Sequence, residues 1–145
     1  MRYESELLVF FERLKNNITK IKNKAKNNEI SYMVKANAYG HGLLPIAKFI
    51  ENKMDGKFFG VASIGEAEKL LPELQKSDSN IFVFSELCLR DKKQIYENSS
   101  QIIPVLSAID DLHFFLETEV FKKKPLVLKF NTGMNRLGFK ESEVS

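Results

Sequence analysis

The sequence predicts an α/β fold around a parallel sheet, and three observations carry that prediction. Five short apolar runs, Ile30–Val34, Phe58–Ala62, Ile81–Phe84, Ile102–Leu106 and Leu126–Phe130, recur at a pitch of roughly two dozen residues with helical patterns between them. Each run is apolar nearly throughout, as expected of strands covered on both faces. No repeat, linker or low-complexity segment interrupts the alternation. Such a chain builds either an open doubly wound sheet or a (β/α)8 barrel, and periodicity does not choose between them. In both, ligands bind beyond the carboxyl ends of the strands.

Leu7, Phe10, Phe11, Leu14, Ile18, Ile21 and Ala25 recur at three- and four-residue steps, which predicts an amphipathic opening helix before the first strand. Pro45 suits the first turn of a helix over Leu44–Asn52, where a missing N–H does no harm. Ser63-Ile64-Gly65-Glu66 has the form of a capping box and opens a helix carrying Ala67, Leu70 and Leu71. Pro104 is awkward in a central strand, so the fourth strand should be short. Ser107 is placed to cap the helix holding Leu112, Phe115 and Leu116, with Asp110 and Asp111 in its first turn. On that apolar helix His113 reads as a packing residue.

Composition narrows the function classes. With 145 residues and 43% hydrophobic content the chain can bury one core. Its 22 basic and 19 acidic side chains leave a net charge of only +3, a poor case for nucleic acid. Lys20, Lys22, Lys24 and Lys26 read as the wet face of a helix. Cys88 is the single cysteine, which excludes an internal disulfide and a cysteine-rich zinc site and favours a reduced, cytoplasmic setting. His41 has no Cys, Asp or Glu cluster beside it, so no metal is expected. The segment Met1–Glu6 lacks the apolar core of a signal peptide, and no apolar run approaches the ~20 residues needed to span a membrane.

The chemistry concentrates in two segments. In the first, Val34-Lys35-Ala36-Asn37-Ala38-Tyr39-Gly40-His41-Gly42, a lysine stands at the mouth of an apolar strand. That position is costly unless the amine has a task, and one such task is a Schiff base with pyridoxal phosphate. Ala36, Ala38, Gly40 and Gly42 would let a bulky, flat group approach the backbone, and the Tyr39 hydroxyl could hold a phosphate. The bland alternatives are a lysine that snorkels to solvent and a tyrosine that fills the core. In the second segment, Lys129-Phe130-Asn131-Thr132-Gly133-Met134-Asn135-Arg136-Leu137-Gly138-Phe139, two glycines bracket a loop after the fifth strand. This loop brings Arg136 toward the mouth that holds Lys35. The guanidinium fork suits a carboxylate or phenolic oxygen, the alternative being a surface ion pair. Lys129, at the strand end, adds a second cation.

These two segments resemble the two signature motifs of the alanine racemase family, in the same order, and the resemblance runs from about Leu7 onward. It implies a (β/α)8 TIM barrel of which residues 1–145 form the amino-terminal portion, about five βα units preceded by a helix. It also implies pyridoxal 5'-phosphate joined to Lys35, with Lys35 serving the α-proton of the D-enantiomer as L- and D-alanine interconvert to supply peptidoglycan. Tyr39 would contact the cofactor phosphate, and Arg136 both the cofactor ring oxygen and the substrate carboxylate. In many relatives the lysine matching Lys129 reacts with carbon dioxide to give a carbamate that pairs with the arginine. Asn131 departs from the family, which more often has an acidic residue there, and a bound chloride could take the carbamate's place.

The family's enzyme is more than twice this length and works as a homodimer. The resemblance therefore implies a fragment, inactive alone, with the rest of the barrel and a carboxyl-terminal β domain outside it. Two rival readings are a non-catalytic pyridoxal-phosphate carrier on a single-domain barrel and a basic-amino-acid decarboxylase of the same cofactor class.

Overall fold

The computed structural model describes residues 6–26 and 28–143. Met1–Ser5, the greater part of the segment inspected for a leader, lies outside them. Five parallel strands form one sheet: β1 (Ser31–Met33), β2 (Phe58–Ser63), β3 (Asn80–Glu86), β4 (Ile102–Leu106) and β5 (Val127–Leu128). Their order is β1-β2-β3-β4-β5. That order answers the question periodicity left open. A doubly wound sheet reverses its strand order at a switch point, whereas here each strand adds beside the one before it, as in a barrel wall.

α1 (Phe11–Ala25) precedes β1, and between the strands run a short turn α2 (Lys35–Tyr39), α3 (Leu43–Met54), α4 (Ile64–Leu70), α5 (Lys93–Asn98) and α6 (Ile109–Glu117). The register Phe59↔Ile81↔Ile102 and Val61↔Val83↔Pro104 sets one row of side chains under the helices. Phe59, Val61, Ile81 and Val83 are there wholly buried with Ala47, Ile50, Ala67, Leu70 and Phe115. The opposite row behaves differently. Met33, Phe58, Phe82 and Phe84 are only partly covered. The expectation of strands covered on both faces therefore holds for β4, whose five residues are all buried, whereas β2 and β3 are fully covered on one face only. In a barrel this second row lines the interior.

Other expectations are corrected locally. α1 begins at Phe11, and Leu7, Leu8 and Phe10 before it are exposed, as is Ile21 within it. Phe10 offers the helix no side-chain cap, and the first firm anchor is Phe11 against Phe49, with ring centroids 4.8 Å apart. α6 is preceded by Ala108, which makes no side-chain cap, so Ser107 does not play that part. His113 is exposed and does not pack. Pro104 leaves β4 at full length, every residue buried. Its missing N–H points to the β5 side, where pairing begins only at Val105, so no ladder bond is lost. The short strand is instead β5, two residues long, extended by an isolated bridge between Phe130 and Phe139.

At the amino-terminal end of the sheet the charges are matched. Glu51 is wholly buried, yet its carboxylate accepts from the N–H groups of Gln75 (2.9 Å) and Lys76 (3.1 Å) and from the Ser79 hydroxyl (2.8 Å). Lys57 pairs with Asp78 at 2.7 Å, and Lys76 with Asp55.

Candidate active site

The carboxyl-terminal end of the sheet brings together the residues singled out from the sequence, and its geometry starts from an unusual turn. Immediately after β1, Ala36, Asn37, Ala38 and Tyr39 all have φ between 51° and 55°. They form one left-handed helical turn, a conformation costing an L-residue roughly 1–2 kcal/mol, least where the side chain is Asn. The sequence supplies only part of what such a turn needs: Asn37 tolerates the region and Gly40 follows at φ 85° as its cap, whereas Ala36, Ala38 and Tyr39 carry the steric cost of a Cβ.

The side chains around it complete the brace. Asn37 sits at the hub: its carbonyl accepts from the Gly42 N–H (2.9 Å), and its Oδ1 accepts from the Leu43 N–H (2.8 Å), tying the turn to the start of α3. The Asn37 N–H donates to Glu66 Oε1 (3.2 Å), while Glu66 Oε2 accepts from the Ala62 N–H in β2 (2.9 Å). Ser63 caps α4 as the sequence predicted, accepting from the Glu66 N–H at 3.2 Å. The reciprocal half of the capping box, however, is diverted to the turn and to Ala62.

The turn sends Lys35 and Tyr39 toward the loop that follows β5. That loop is shaped by Asn131, whose Oδ1 accepts from the N–H groups of Gly133 (3.2 Å) and Asn135 (3.0 Å) and whose amide donates to Asn135 Oδ1 (2.9 Å). An asparagine here gives both acceptor and donor to the loop. Phe139 then returns alongside, its N–H on the Lys129 carbonyl (2.8 Å) and its carbonyl on the Asn131 N–H (2.9 Å). Gly138 makes that approach possible. At φ 125° a side chain is strained, and a Cβ would stand 2.7 Å from the Asn131 nitrogen.

Between turn and loop lies a cleft of about 420 Å³ lined by Met33, Lys35, Tyr39, Phe84, Ser85, Lys129, Phe130, Asn131, Thr132, Met134, Arg136 and Leu137. All four residues singled out from the sequence, Lys35, Tyr39, Lys129 and Arg136, are on its wall. Lys35 and Lys129 are half-buried, and Tyr39 is 60% exposed, so it does not fill the core. None of the three cations forms an ion pair among the described residues. The lining also contains no carboxylate, so the cleft is electropositive over an apolar floor of Met33 and Phe84.

The small residues Ala36, Ala38, Gly40 and Gly42 are absent from the lining. Ala38 is buried in the core and Gly42 lies against Pro45, so they serve the turn and its junction with α3 rather than cradling a ligand. His41 points elsewhere, its Nδ1 3.0 Å from the Ala38 carbonyl.

Residues the sequence did not single out are Asn37, Glu66, Met33 and Phe84. Asn37 had a readable signal in the tolerance of asparagine for left-handed backbone. Glu66 was legible only as a helix cap.

An amine, a phenol and a guanidinium around an apolar floor are groups that could hold a flat, anionic carbonyl compound, and the cleft's volume lies within the ordinary range for cofactor pockets. Pyridoxal phosphate fits that description, with an aldehyde for Lys35 and anionic groups for the remaining donors. Comparison with known proteins gives the family. Residues 10–145 match the family described as alanine racemase, N-terminal domain, and the chain belongs to it. It is 34% identical over 138 residues to an alanine racemase of Borreliella burgdorferi, covering 92% of this chain and 35% of that protein.

Among solved structures, alanine racemase from Bartonella henselae with covalently bound pyridoxal phosphate superposes with a TM-score of 0.77. It is 27% identical to this chain, over 92% of this chain and 38% of that one. A histidine racemase from Leuconostoc mesenteroides matches with the same TM-score, 0.77, at 26% identity over 92% of this chain and 36% of its own. The chain thus spans about a third of the length of the proteins it matches.

Proposed function

We propose that residues 1–145 are the amino-terminal, cofactor-bearing portion of a pyridoxal-phosphate-dependent alanine racemase. The observation that carries this reading is the meeting of Lys35, Tyr39, Lys129 and Arg136 on one electropositive cleft at the carboxyl end of an in-order parallel sheet. Family membership and the covalently bound cofactor of the Bartonella relative support it. The rest of the barrel and a further β domain would come from a longer protein, working as a homodimer in the cytoplasm and supplying D-alanine for peptidoglycan.

Each residue has a task in this reading. Pyridoxal phosphate, when bound, supplies an electron sink that makes the α-proton of an amino acid removable. Lys35 holds that group through Nζ, and its free amine moves the α-proton on one face of the substrate. Tyr39 donates its hydroxyl to the phosphate. Arg136 holds the substrate carboxylate or the ring oxygen with two parallel N–H groups. Lys129, once its ammonium has given up a proton, reacts as the free amine with carbon dioxide. Its nitrogen forms the C–N bond of a carbamate as one C=O π bond opens onto oxygen, and a second proton leaves the nitrogen, so that a repelling cation becomes an anion for Arg136. A bound chloride is the alternative counter-ion.

The test is racemisation by the complete gene product loaded with pyridoxal phosphate. D-Alanine should form from L-alanine, followed with a D-amino-acid oxidase. L-Histidine, assayed in parallel because of the Leuconostoc neighbour, should react far more slowly. Tight cofactor binding with no α-proton exchange from either amino acid would favour the carrier reading instead.

A further inference from the structure

We infer that Glu66 is a positioning residue for Lys35 and Tyr39, clamping the left-handed turn to the end of β2; this inference rests on the cofactor reading above. The two oxygens of its carboxylate divide their work between two elements. Oε2 accepts from the Ala62 N–H at 2.9 Å, inside the sheet edge, and Oε1 accepts from the Asn37 N–H at 3.2 Å, inside the turn. Glu66 itself is fixed by the Ser63 cap on its own N–H and by its place in the first turn of α4, between buried Ile64 and Ala67. It is absent from the cleft lining and touches no group that would react.

Its effect runs through the backbone. Asn37 is two residues from both Lys35 and Tyr39, and four successive residues around it occupy a conformation that isolated L-residues avoid. Val34 is anchored on one side of the turn through its N–H to the Gly60 carbonyl (2.8 Å), and Leu43 on the other through Asn37 Oδ1. Between those anchors, and among the described residues, the Glu66 carboxylate provides the hydrogen bond that reaches the turn's own backbone from another strand–helix unit. Without it the turn keeps its local bonds but loses the tie that sets its tilt against the sheet. The Lys35 amine and the Tyr39 hydroxyl would then no longer meet the two ends of one rigid ligand together. Binding to preorganised groups is sensitive to displacements of this kind.

The experiment uses the complete gene product with pyridoxal phosphate and compares Glu66→Gln, Glu66→Ala and the control Glu68→Ala, whose side chain lies on the same helix and reaches Lys92 at 3.4 Å. Cofactor affinity is read by fluorescence titration, the visible band of the lysine-bound cofactor by absorbance, and folding by thermal denaturation. We expect Glu66→Ala to lose at least tenfold in cofactor affinity and to shift or broaden the visible band. Glu66→Gln, which keeps one acceptor oxygen and so one of the two bonds, should fall between it and wild type at an almost unchanged melting temperature. Glu68→Ala should match wild type in both cofactor readouts.

If Glu66→Ala does not fold, Glu66→Gln decides alone. Wild-type affinity and an unaltered band in a folded Glu66 variant overturn the positioning role, even where stability has dropped. The underlying cofactor reading is separately checked: a wild-type protein with no lysine-bound cofactor defeats that reading, whatever the Glu66 variants do.

Discussion

The two ends of the sheet use the same residue types to opposite effect. At the amino-terminal end Lys57 and Lys76 each face an aspartate, and the buried carboxylate of Glu51 is matched by three donors. At the carboxyl-terminal end Lys35, Lys129 and Arg136 line one cleft with no acidic partner among the described residues, beside four residues in left-handed backbone. Unmatched charge and backbone strain are retained where something outside the chain can use them. The amino-terminal end is tied together by these ion pairs and hydrogen bonds. The base ties the sheet together, and the mouth gathers the residues to which the proposed function assigns the chemistry.

That contrast can be broken most forcefully at Lys35. In the complete protein, Lys35→Ala should lower racemase turnover by about a thousandfold or more, since it removes both the cofactor attachment and a proton-transfer group. Thermal denaturation of the cofactor-free protein should hardly change. At the other end the outcome should be reversed. Glu51→Ala leaves the Gln75 and Lys76 N–H groups and the Ser79 hydroxyl without their acceptor, at a cost of roughly 2–3 kcal/mol in urea denaturation. Turnover per folded molecule should stay near wild type.

Arg136→Lys sharpens the contrast within the mouth. Loss of the two-pronged donor should reduce kcat/KM by about ten- to a hundredfold, with stability unaltered. Gly138→Ala crosses the categories, because the residue shapes the loop without touching ligand. Its φ of 125° and the 2.7 Å approach to the Asn131 nitrogen should destabilise the loop by about 1–3 kcal/mol, read as faster proteolysis near Asn131 together with weaker cofactor binding.

The smallest effect belongs to the exposed pairs at the base. The hydrogen bond from Lys57 holds the Asp78 carboxyl below its ordinary value of 3.8, and that from Lys76 does the same for Asp55. A depressed carboxyl stabilises the fold fully above its unfolded pKa and loses that contribution as pH falls through the folded one. Asp78→Asn should therefore flatten the acid limb of the melting-temperature profile below about pH 4 and change little at neutral pH.

Much of this was legible in the sequence, for reasons that particular residues make plain. The strands announce themselves because a wall under helices must be apolar, and Phe59, Val61, Ile81 and Val83 are wholly buried there. The second row looked equally apolar, but Met33, Phe82 and Phe84 face the barrel interior and the cleft floor, a distinction that only sheet curvature and strand order reveal. Lys35 and Arg136 could be assigned to one mouth because both follow strands of a parallel sheet. Local preference argues against four positive φ values at non-glycine residues, so the left-handed turn could not be read. Glu66 was hidden for a different reason. Its capping-box pattern is real, but its carboxylate answers to Asn37, 29 residues away. Ser107 and His113 failed as local readings because α6 starts later and turns otherwise than its apolar pattern suggested.

The most direct test of the central claim is peptide mapping of the borohydride-reduced complete protein. The account predicts phosphopyridoxyl on Lys35, within the Val34–Gly42 segment, and its loss in Lys35→Ala. Label on Lys129 or another lysine, or persistence of the adduct after Lys35→Ala, would contradict it.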